Sequence, residues 1–337
     1  MIFSCSKEND EPQTQAETPK ETVDVYLLGQ EFIANKDVAK YWKNSIATTL
    51  NLDSNSSVSV SGMVVSGTDV YVSGSETSSG FTFPCLWKNG VRNVLPAPSP
   101  QPTTSGIAIL GADVYTAGVY YVNGKYQAVY WKNQTFIELT NGLKNSSTSG
   151  IAVSGNNVYV IGTTQAVDNI SFISKIWING QPKIISNLDS RVSSIFIKDN
   201  DVYITGKEKN SSGIFEAKYW IYNTLSDAFT KIDIVTSGTS TNVEAYSILL
   251  NGTDVYVAGA ERDASTWSAF YWKNGQKIFL SDGTADAFLT GIDIDGNDIY
   301  AFGNDGNKIK VWKNGVAKNY SDGTNAAFTY SIFVNKK

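Results

Sequence analysis

Apolar residues in this chain come in short runs rich in Val, Ile, Tyr, Phe and Trp, broken by polar turns of Gly, Asn and Asp. Runs bounded in this way predict β-strands, and no stretch holds the period of an amphipathic helix. The runs repeat. A Val/Ile-Tyr pair followed three residues later by Gly occurs seven times, at Tyr26, Tyr71, Tyr115, Tyr159, Tyr203, Tyr256 and Tyr300. The tyrosines are 45, 44, 44, 44, 53 and 44 residues apart, and a tryptophan follows each by 12 to 18 residues. Those tryptophans are Trp42, Trp87, Trp131, Trp177, Trp220, Trp272 and Trp312; Trp267 alone is out of register.

Each unit divides into four strands. The sixth reads EAYSILLNG over residues 244–252, then TDVYVAG, SAFYWKNG and QKIFLSDG. Asn-Gly and Gly-Thr-Asp between such runs are hairpin signals. Four strands in roughly 40–45 residues is the size of a propeller blade. The pattern therefore predicts an all-β chain, a seven-bladed β-propeller of four-stranded antiparallel blades over residues 23–337. Stacked blades bury both faces of most strands, which suits continuous apolar runs such as Ala269-Phe270-Tyr271-Trp272. The periodic tryptophans are expected as wedges between blades. The first strand, residues 23–28, reads as the second of a unit, and residues 329–334 read as a first strand. Their pairing is expected to close the ring and to hide two sheet edges.

Composition narrows the function. Hydrophobic residues make up 42% of the chain, ample for a packed core. Net charge is −5 with 27 basic residues scattered along the sequence, so the basic stripe that nucleic acid requires is missing. There is no histidine, which removes the usual general base and the commonest metal ligand. No cofactor and no metal are expected. The turn from Asp293 to Asp298 has calcium-like acids but not the full ligand spacing, and it reads as a hairpin. The Asp before each Val-Tyr likewise reads as turn chemistry.

Of the two cysteines, Cys85 lies in an apolar run and is expected to be a buried, inert thiol. Ile2-Phe3-Ser4-Cys5 resembles the end of a bacterial lipobox, and the acidic Ser-Lys-Glu-Asn-Asp-Glu after it is similar to the start of surface lipoproteins. That resemblance implies lipidation at Cys5, with residues 1–22 forming a lipoprotein N-terminus and polar, Pro/Glu/Thr-rich tether. It also implies an outer-membrane lipoprotein of the cell envelope, surface-exposed or periplasmic, held to membrane only through that lipid. The alternative is a chance cysteine in a polar tail.

The strands Ala39-Lys-Tyr-Trp42, Ala128-Val-Tyr-Trp131, Ala217-Lys-Tyr-Trp220 and Ala269-Phe-Tyr-Trp272 resemble the extracellular HAF-type propeller repeat. The histidine of that repeat is missing here. Kelch repeats are more distantly similar, sharing the Val-Tyr…Gly strand but carrying a double glycine absent from this chain. The resemblance covers about residues 23–334 and implies the fold more than a function.

Function is sought where the units differ. In an antiparallel blade, connections alternate between two rims, so the short first and third turns share one face and the variable second and fourth loops share the other. On the variable face, Tyr120, Tyr121 and Tyr126 crowd the third unit. Glu261, Arg262, Asp263 and Trp267 occupy the sixth, extra residues fall at 236–244, and Pro96, Pro98, Pro100 and Pro102 stiffen a loop. An aromatic outside the repeat suits stacking on a sugar or peptide. The leading expectation is a monomeric binding or scaffold module for a glycan, peptide or envelope protein. The rival is an enzyme acting on polysaccharide with a carboxylate pair.

Overall fold

The computed structural model describes residues 23–50, 56–98, 101–234, 242–263 and 265–336. Cys5, the 1–22 segment and most of the 236–244 insert lie outside the described residues. Every regular element among the described residues is a β-strand.

The first strands are β1 (Val23–Ile33), β2 (Lys36–Lys43) and β3 (Ile46–Thr49). A second sheet holds β4 (Ser57–Ser66), β5 (Asp69–Ser78), β6 (Phe81–Lys88) and β7 (Val91–Val94) in sequence order. A third holds β8 (Thr103–Leu110), β9 (Asp113–Val122), β10 (Lys125–Lys132) and β11 (Thr135–Glu138). Next comes a seven-stranded sheet: β12 (Ser146–Ser154), β13 (Asn157–Gln165), β14 (Phe172–Ile178), β15 (Gln181–Lys198), β16 (Asp201–Lys209), β17 (Phe215–Asn223) and β18 (Ala228–Asp233). Its middle strand is 18 residues long; one half pairs with β14 and the other with β16. Two four-stranded sheets follow, β19 (Asn242–Asn251) to β22 (Gln276–Phe279) through β20 (Asp254–Asp263) and β21 (Thr266–Lys273), then β23 (Ala287–Asp295) to β26 (Val316–Asn319) through β24 (Asp298–Asp305) and β25 (Lys308–Lys313). The last strand, β27 (Ala327–Lys336), lies antiparallel against β1, with Tyr26 opposite Phe333, so the two ends of the described chain share one sheet.

The repeat glycine sets how these sheets meet. In β4, β8, β12, the second half of β15, β19, β23 and β27 one residue is skipped in the pairing with the adjacent strand, a β-bulge. The repeat glycine sits opposite that bulge. A Cβ on Gly118 would lie 2.2 Å from the Thr103 carbonyl oxygen and 2.7 Å from the Trp131 ring. On Gly162 it would lie 1.9 Å from the Ser147 carbonyl oxygen. Only glycine allows the bulged backbone this close, and in the third unit the tryptophan edge seals the space above it.

Among the described residues, the buried apolar side chains fall into seven clusters, and each contains one repeat tryptophan. Each cluster draws on two consecutive units: Trp87 packs with Tyr26, Leu28 and Ala39, while Trp42 packs with Tyr300, Phe302 and Ile309. The wedge role expected of the tryptophans is met. The bulged strands also touch one another in the cyclic order β4, β8, β12, β15, β19, β23, β27 and back to β4. Cys85 is fully buried, and burial pushes its thiol up to about 12, as expected of an inert cysteine.

At the end of β23, the Asp293 carboxylate accepts the backbone N–H of Val334 at 2.6 Å and of Ile294 at 2.8 Å, tying β27 down. Burial pushes this carboxyl up to about 6 despite those two hydrogen bonds. The calcium-like acids of this turn thus have separate tasks, and Asp298 pairs with Lys313 at 2.6 Å.

Gly118→Ala should destabilise the fold by about 1–3 kcal/mol through overpacking and Trp272→Ala by about 3–5 kcal/mol through the cavity it leaves, both read from urea-unfolding midpoints. The protonated Asp293 is favoured in the folded state, so its stabilising contribution is complete below its unfolded pKa and fades as pH rises through about 6. Between pH 4 and pH 7 the parent protein should therefore lose on the order of 2–3 kcal/mol relative to Asp293→Asn. Parallel pH profiles for the two proteins would contradict this.

Candidate functional site

The face carrying the short turns is built from one repeated clasp. The Asn that ends each third strand adopts a positive φ in six of the units, 51° at Asn89 and 45° at Asn274, for example, as a tight hairpin demands. Its side-chain amide reaches back to the residue that begins the second strand. Asn44, Asn89, Asn133, Asn223, Asn274 and Asn314 donate to Asp24, Asp69, Asp113, Asp201, Asp254 and Asp298, and Asn179 donates to Asn157, all at 2.5 to 2.9 Å. In five units the preceding lysine (Lys43, Lys88, Lys132, Lys273 or Lys313) pairs with the same aspartate. It also lies 5.0 to 5.5 Å from the centre of the repeat tyrosine ring. Lys88 and Asn89 hold the Asp69 carboxyl below its usual range. Turn chemistry was the expectation for these acids, and the clasp accounts for it.

The opposite, loop-bearing face carries the residues singled out as ligand-binding, and two of them have another role. Tyr120 is 4% exposed and Glu261 is 2% exposed. Both stand two residues after the repeat glycine, where Glu31, Glu76, Glu208 and Asp305 stand in other units. Each of these acids is neutralised within its own sheet: Glu31 by Lys40, Glu76 by Arg92, Glu208 by Lys231, Glu261 by Lys277 and Asp305 by Lys310. In the third unit the polarity is reversed, and the Tyr120 hydroxyl donates to Glu138. Burial and that glutamate push the Tyr120 hydroxyl up to about 12. Tyr120 and Glu261 therefore act as struts within their sheets, although Glu261 also lines a cavity on this face.

The other candidates remain on the surface in two separate groups. Tyr121 and Tyr126 face each other across the β9–β10 hairpin, 42% and 51% exposed, with ring centres 5.0 Å apart. Arg262 and Asp263 are exposed on the β20–β21 hairpin, where Arg262 lies opposite Trp267. Trp267 is not free-standing. It is half-buried with its ring 5.4 Å from that of Phe288, and its backbone N–H donates to Asp286 at 2.9 Å. A cavity of about 360 Å³ on the same sheet brings the candidates Glu261 and Asp263 together with Ser268, Phe279 and Asp282; Trp267 is not part of its lining. The strands β12 and β15 intervene between the two groups in the cyclic order, so they do not form one site. The proline loop borders a separate groove of about 430 Å³ with the exposed Phe81 and Phe83, and its Pro96 carbonyl accepts Trp131 Nε1 at 2.6 Å.

One constellation escaped the reading of the sequence. The skipped residues of the seven bulges are Ser61, Ser105, Ser149, Ser193, Tyr246, Thr290 and Tyr330, every one a hydroxyl. All seven line one central cavity of about 280 Å³. Ser61 bonds Thr104 at 2.8 Å, Ser105 bonds Thr148 at 2.7 Å and Thr290 bonds Thr329 at 2.8 Å, linking neighbouring strands around the cavity. Burial pushes the Tyr330 hydroxyl up to about 12 and raises that of Tyr246. The signal was present as a sevenfold hydroxyl, then Gly or Ser, then Ile or Met, as in Ser61-Gly62-Met63 and Tyr330-Ser331-Ile332.

No protein-family model and no curated protein matches the chain. Solved structures do. The β-propeller domain of the Trilobed protease from Pyrococcus furiosus, which has an open velcro topology, aligns with a TM-score of 0.54 at 11% identity over 91% of this chain and 96% of that one. Pyrococcus horikoshii acylaminoacyl peptidase aligns with a TM-score of 0.54 at 9% identity over 90% of this chain, which spans 51% of the peptidase. TolB from Acinetobacter baumannii aligns at 0.48, with 10% identity over 93% of this chain and 67% of TolB. At such identities the likeness concerns architecture alone, and the chain has a β-propeller fold.

Proposed function

We propose that the chain is a seven-bladed propeller closed by β27, carried on a lipid at Cys5 through the 1–22 tether, and that it binds a partner in the cell envelope on its loop face. The partner is a glycan, peptide or protein, and the module works as a monomer without a cofactor. The blade count is supported by seven tryptophan clusters and by the double use of β15 as last strand of one blade and first of the next. Closure is supported by the β1–β27 pairing and the cyclic contacts of the bulged strands.

The observation that carries the functional reading is the contrast between the two faces. On the clasp face the amides and carboxylates of the turns are spent on one another, unit after unit. On the loop face the connections vary between units, although the sixth and seventh share a Ser-Asp-Gly-Thr turn, and the Tyr121–Tyr126 pair presents two rings that the rest of the fold leaves half in solvent. Exposed paired aromatics offer a large contact area at low conformational cost, a property of recognition surfaces. For polysaccharide cleavage by paired carboxylates, two acids would have to be available across one cavity. Glu31, Glu76, Glu208 and Glu261 are each committed to a cation, and of the acids that share the cavity on the sixth unit, Glu261, Asp263 and Asp282, the last accepts two hydrogen bonds from Thr284.

A glycan array and an envelope pull-down with the full chain test this reading. Tyr121→Ala combined with Tyr126→Ala should abolish capture while stability stays within about 0.5 kcal/mol of the parent. Tyr120→Phe should do the reverse, costing about 1–3 kcal/mol by leaving Glu138 without its donor, with capture unchanged. Turnover of a polysaccharide would replace binding by catalysis as the function. Acyl-chain labelling that persists in Cys5→Ala would remove the lipid anchor.

A further inference from the structure

The fourth unit departs from the charge pattern of the others at one place. Two residues before the repeat tryptophan, four units carry lysine: Lys40, Lys175, Lys218 and Lys310. Lys40 pairs with Glu31, Lys310 with Asp305, and Lys218 with both Glu216 and Asp233. Lys175 has no ion pair and no hydrogen bond among the described residues. The reason lies in two substitutions between units. Thr164 stands two residues after the repeat glycine, where other units have an acid. Across the sheet Lys175 faces Ile184, whereas Lys218 faces Asp233.

Packing does not require a cation there. The same position holds Cys85, Val129 and Phe270 in three other units, all buried, so an apolar side chain would serve the fold. A half-buried ammonium without a counter-ion is instead unfavourable, and burial pulls Lys175 below the usual lysine range with no acid to offset it. The ammonium lines a cavity of about 580 Å³ between the third and fourth units. Thr140, Asn141 and Thr164 add hydroxyl and amide groups, Lys144 adds an ammonium that also donates to Ala166 and Asn169, and Leu139 and Pro182 add apolar wall. The one acid in the lining, Glu138, accepts the Tyr120 hydroxyl and forms no ion pair with Lys175. Thr140, Asn141 and Lys144 lie on the loop between β11 and β12, so the cavity belongs to the loop face.

We propose that this cavity binds a uronic-acid unit of an acidic saccharide, the ligand carboxylate taking the place at Lys175 that Glu31 takes at Lys40. The inference deepens the binding reading above and rests on it, but it names a different patch from Tyr121 and Tyr126. A sugar acid fits the lining because it brings one carboxylate for the ammonium, several hydroxyls for the threonine and asparagine side chains, and C–H surface for Leu139 and Pro182. The volume falls within the ~300–1,000 Å³ of small-molecule sites.

Titration calorimetry of the full chain with a uronic-acid tetrasaccharide, and with its carboxyl-reduced neutral counterpart, tests the proposal. Saturable binding of the acidic form is expected, with the neutral form at least about tenfold weaker. Lys175→Met should weaken the acidic form by roughly 10- to 100-fold without lowering the melting temperature. Thr164→Glu should do the same by supplying an internal partner for Lys175, a loss that misfolding would not mimic if the melting temperature holds or rises. Tyr121→Ala with Tyr126→Ala should leave this binding intact. The proposal is overturned if the acidic and neutral forms bind alike, if Lys175→Met binds as the parent does, or if a peptide with a free C-terminal carboxylate binds through Lys175 and the uronate does not. Failure of the uronate while another ligand is still lost on removal of Tyr121 and Tyr126 sinks this site alone.

Discussion

The structure depends on one close approach: a bulged strand lying against a glycine that has no room for a Cβ. At Gly162 and Gly303 the vacant Cβ position is within 2.0 Å of a carbonyl oxygen. With the second strand pressed so closely on the first, the bulged residue has no pairing partner on that side and turns toward the common cavity. The tryptophan two strands away closes over the same glycine in some units, with Trp131 beside Gly118 and Trp87 beside Gly74. Sheet register, the lining of the cavity and the apolar contact with the next sheet thus follow from one backbone contact repeated around the molecule.

This explains which parts of the architecture could be read from the chain. Tyr, Gly, Trp and Asn recur at fixed spacing because each unit solves the same packing problem with the same atoms. The strut roles of Tyr120 and Glu261 are hidden in the sequence because both adjoin the variable loops. Aligned on the glycine instead, they occupy the position of Glu76 and Glu208 and belong to the interior. The ring of hydroxyls escaped notice for a different reason. Serine before glycine reads as a turn, and only the pairing register reveals Ser61 and Ser105 as bulges within strands. Trp267 could not be placed from its own sequence at all, since its packing partner Phe288 comes from the next sheet.

The two faces differ in how their charges are spent. Apart from that of the buried Asp24, the lysine–aspartate pairs of the clasp are exposed, and such pairs add little stability in water. Their value is geometric, for they hold the asparagine side chain in place while its carbonyl accepts a backbone N–H, as Asn89 does from Val70 at 2.8 Å. The acids inside the sheets are another matter. Glu76 and Glu261 are nearly inaccessible, so each would be strongly unfavourable without Arg92 or Lys277.

A molecule built of near-equal units has little freedom to place a specific site by repetition, because a group repeated from unit to unit meets the same neighbour each time and is satisfied by it. Specific recognition then has to come from positions where one unit breaks the rule while the fold tolerates the break. Tyr120 with Glu138 breaks it harmlessly, because donor and acceptor change places together. Thr164 with Ile184 breaks it on one side only, removing the acids and keeping Lys175. The first exchange satisfies its hydrogen bond within the chain, whereas the second leaves the Lys175 ammonium with neither a hydrogen bond nor an ion pair among the described residues. That difference, more than the exposure of any loop, separates a structural variation from a site.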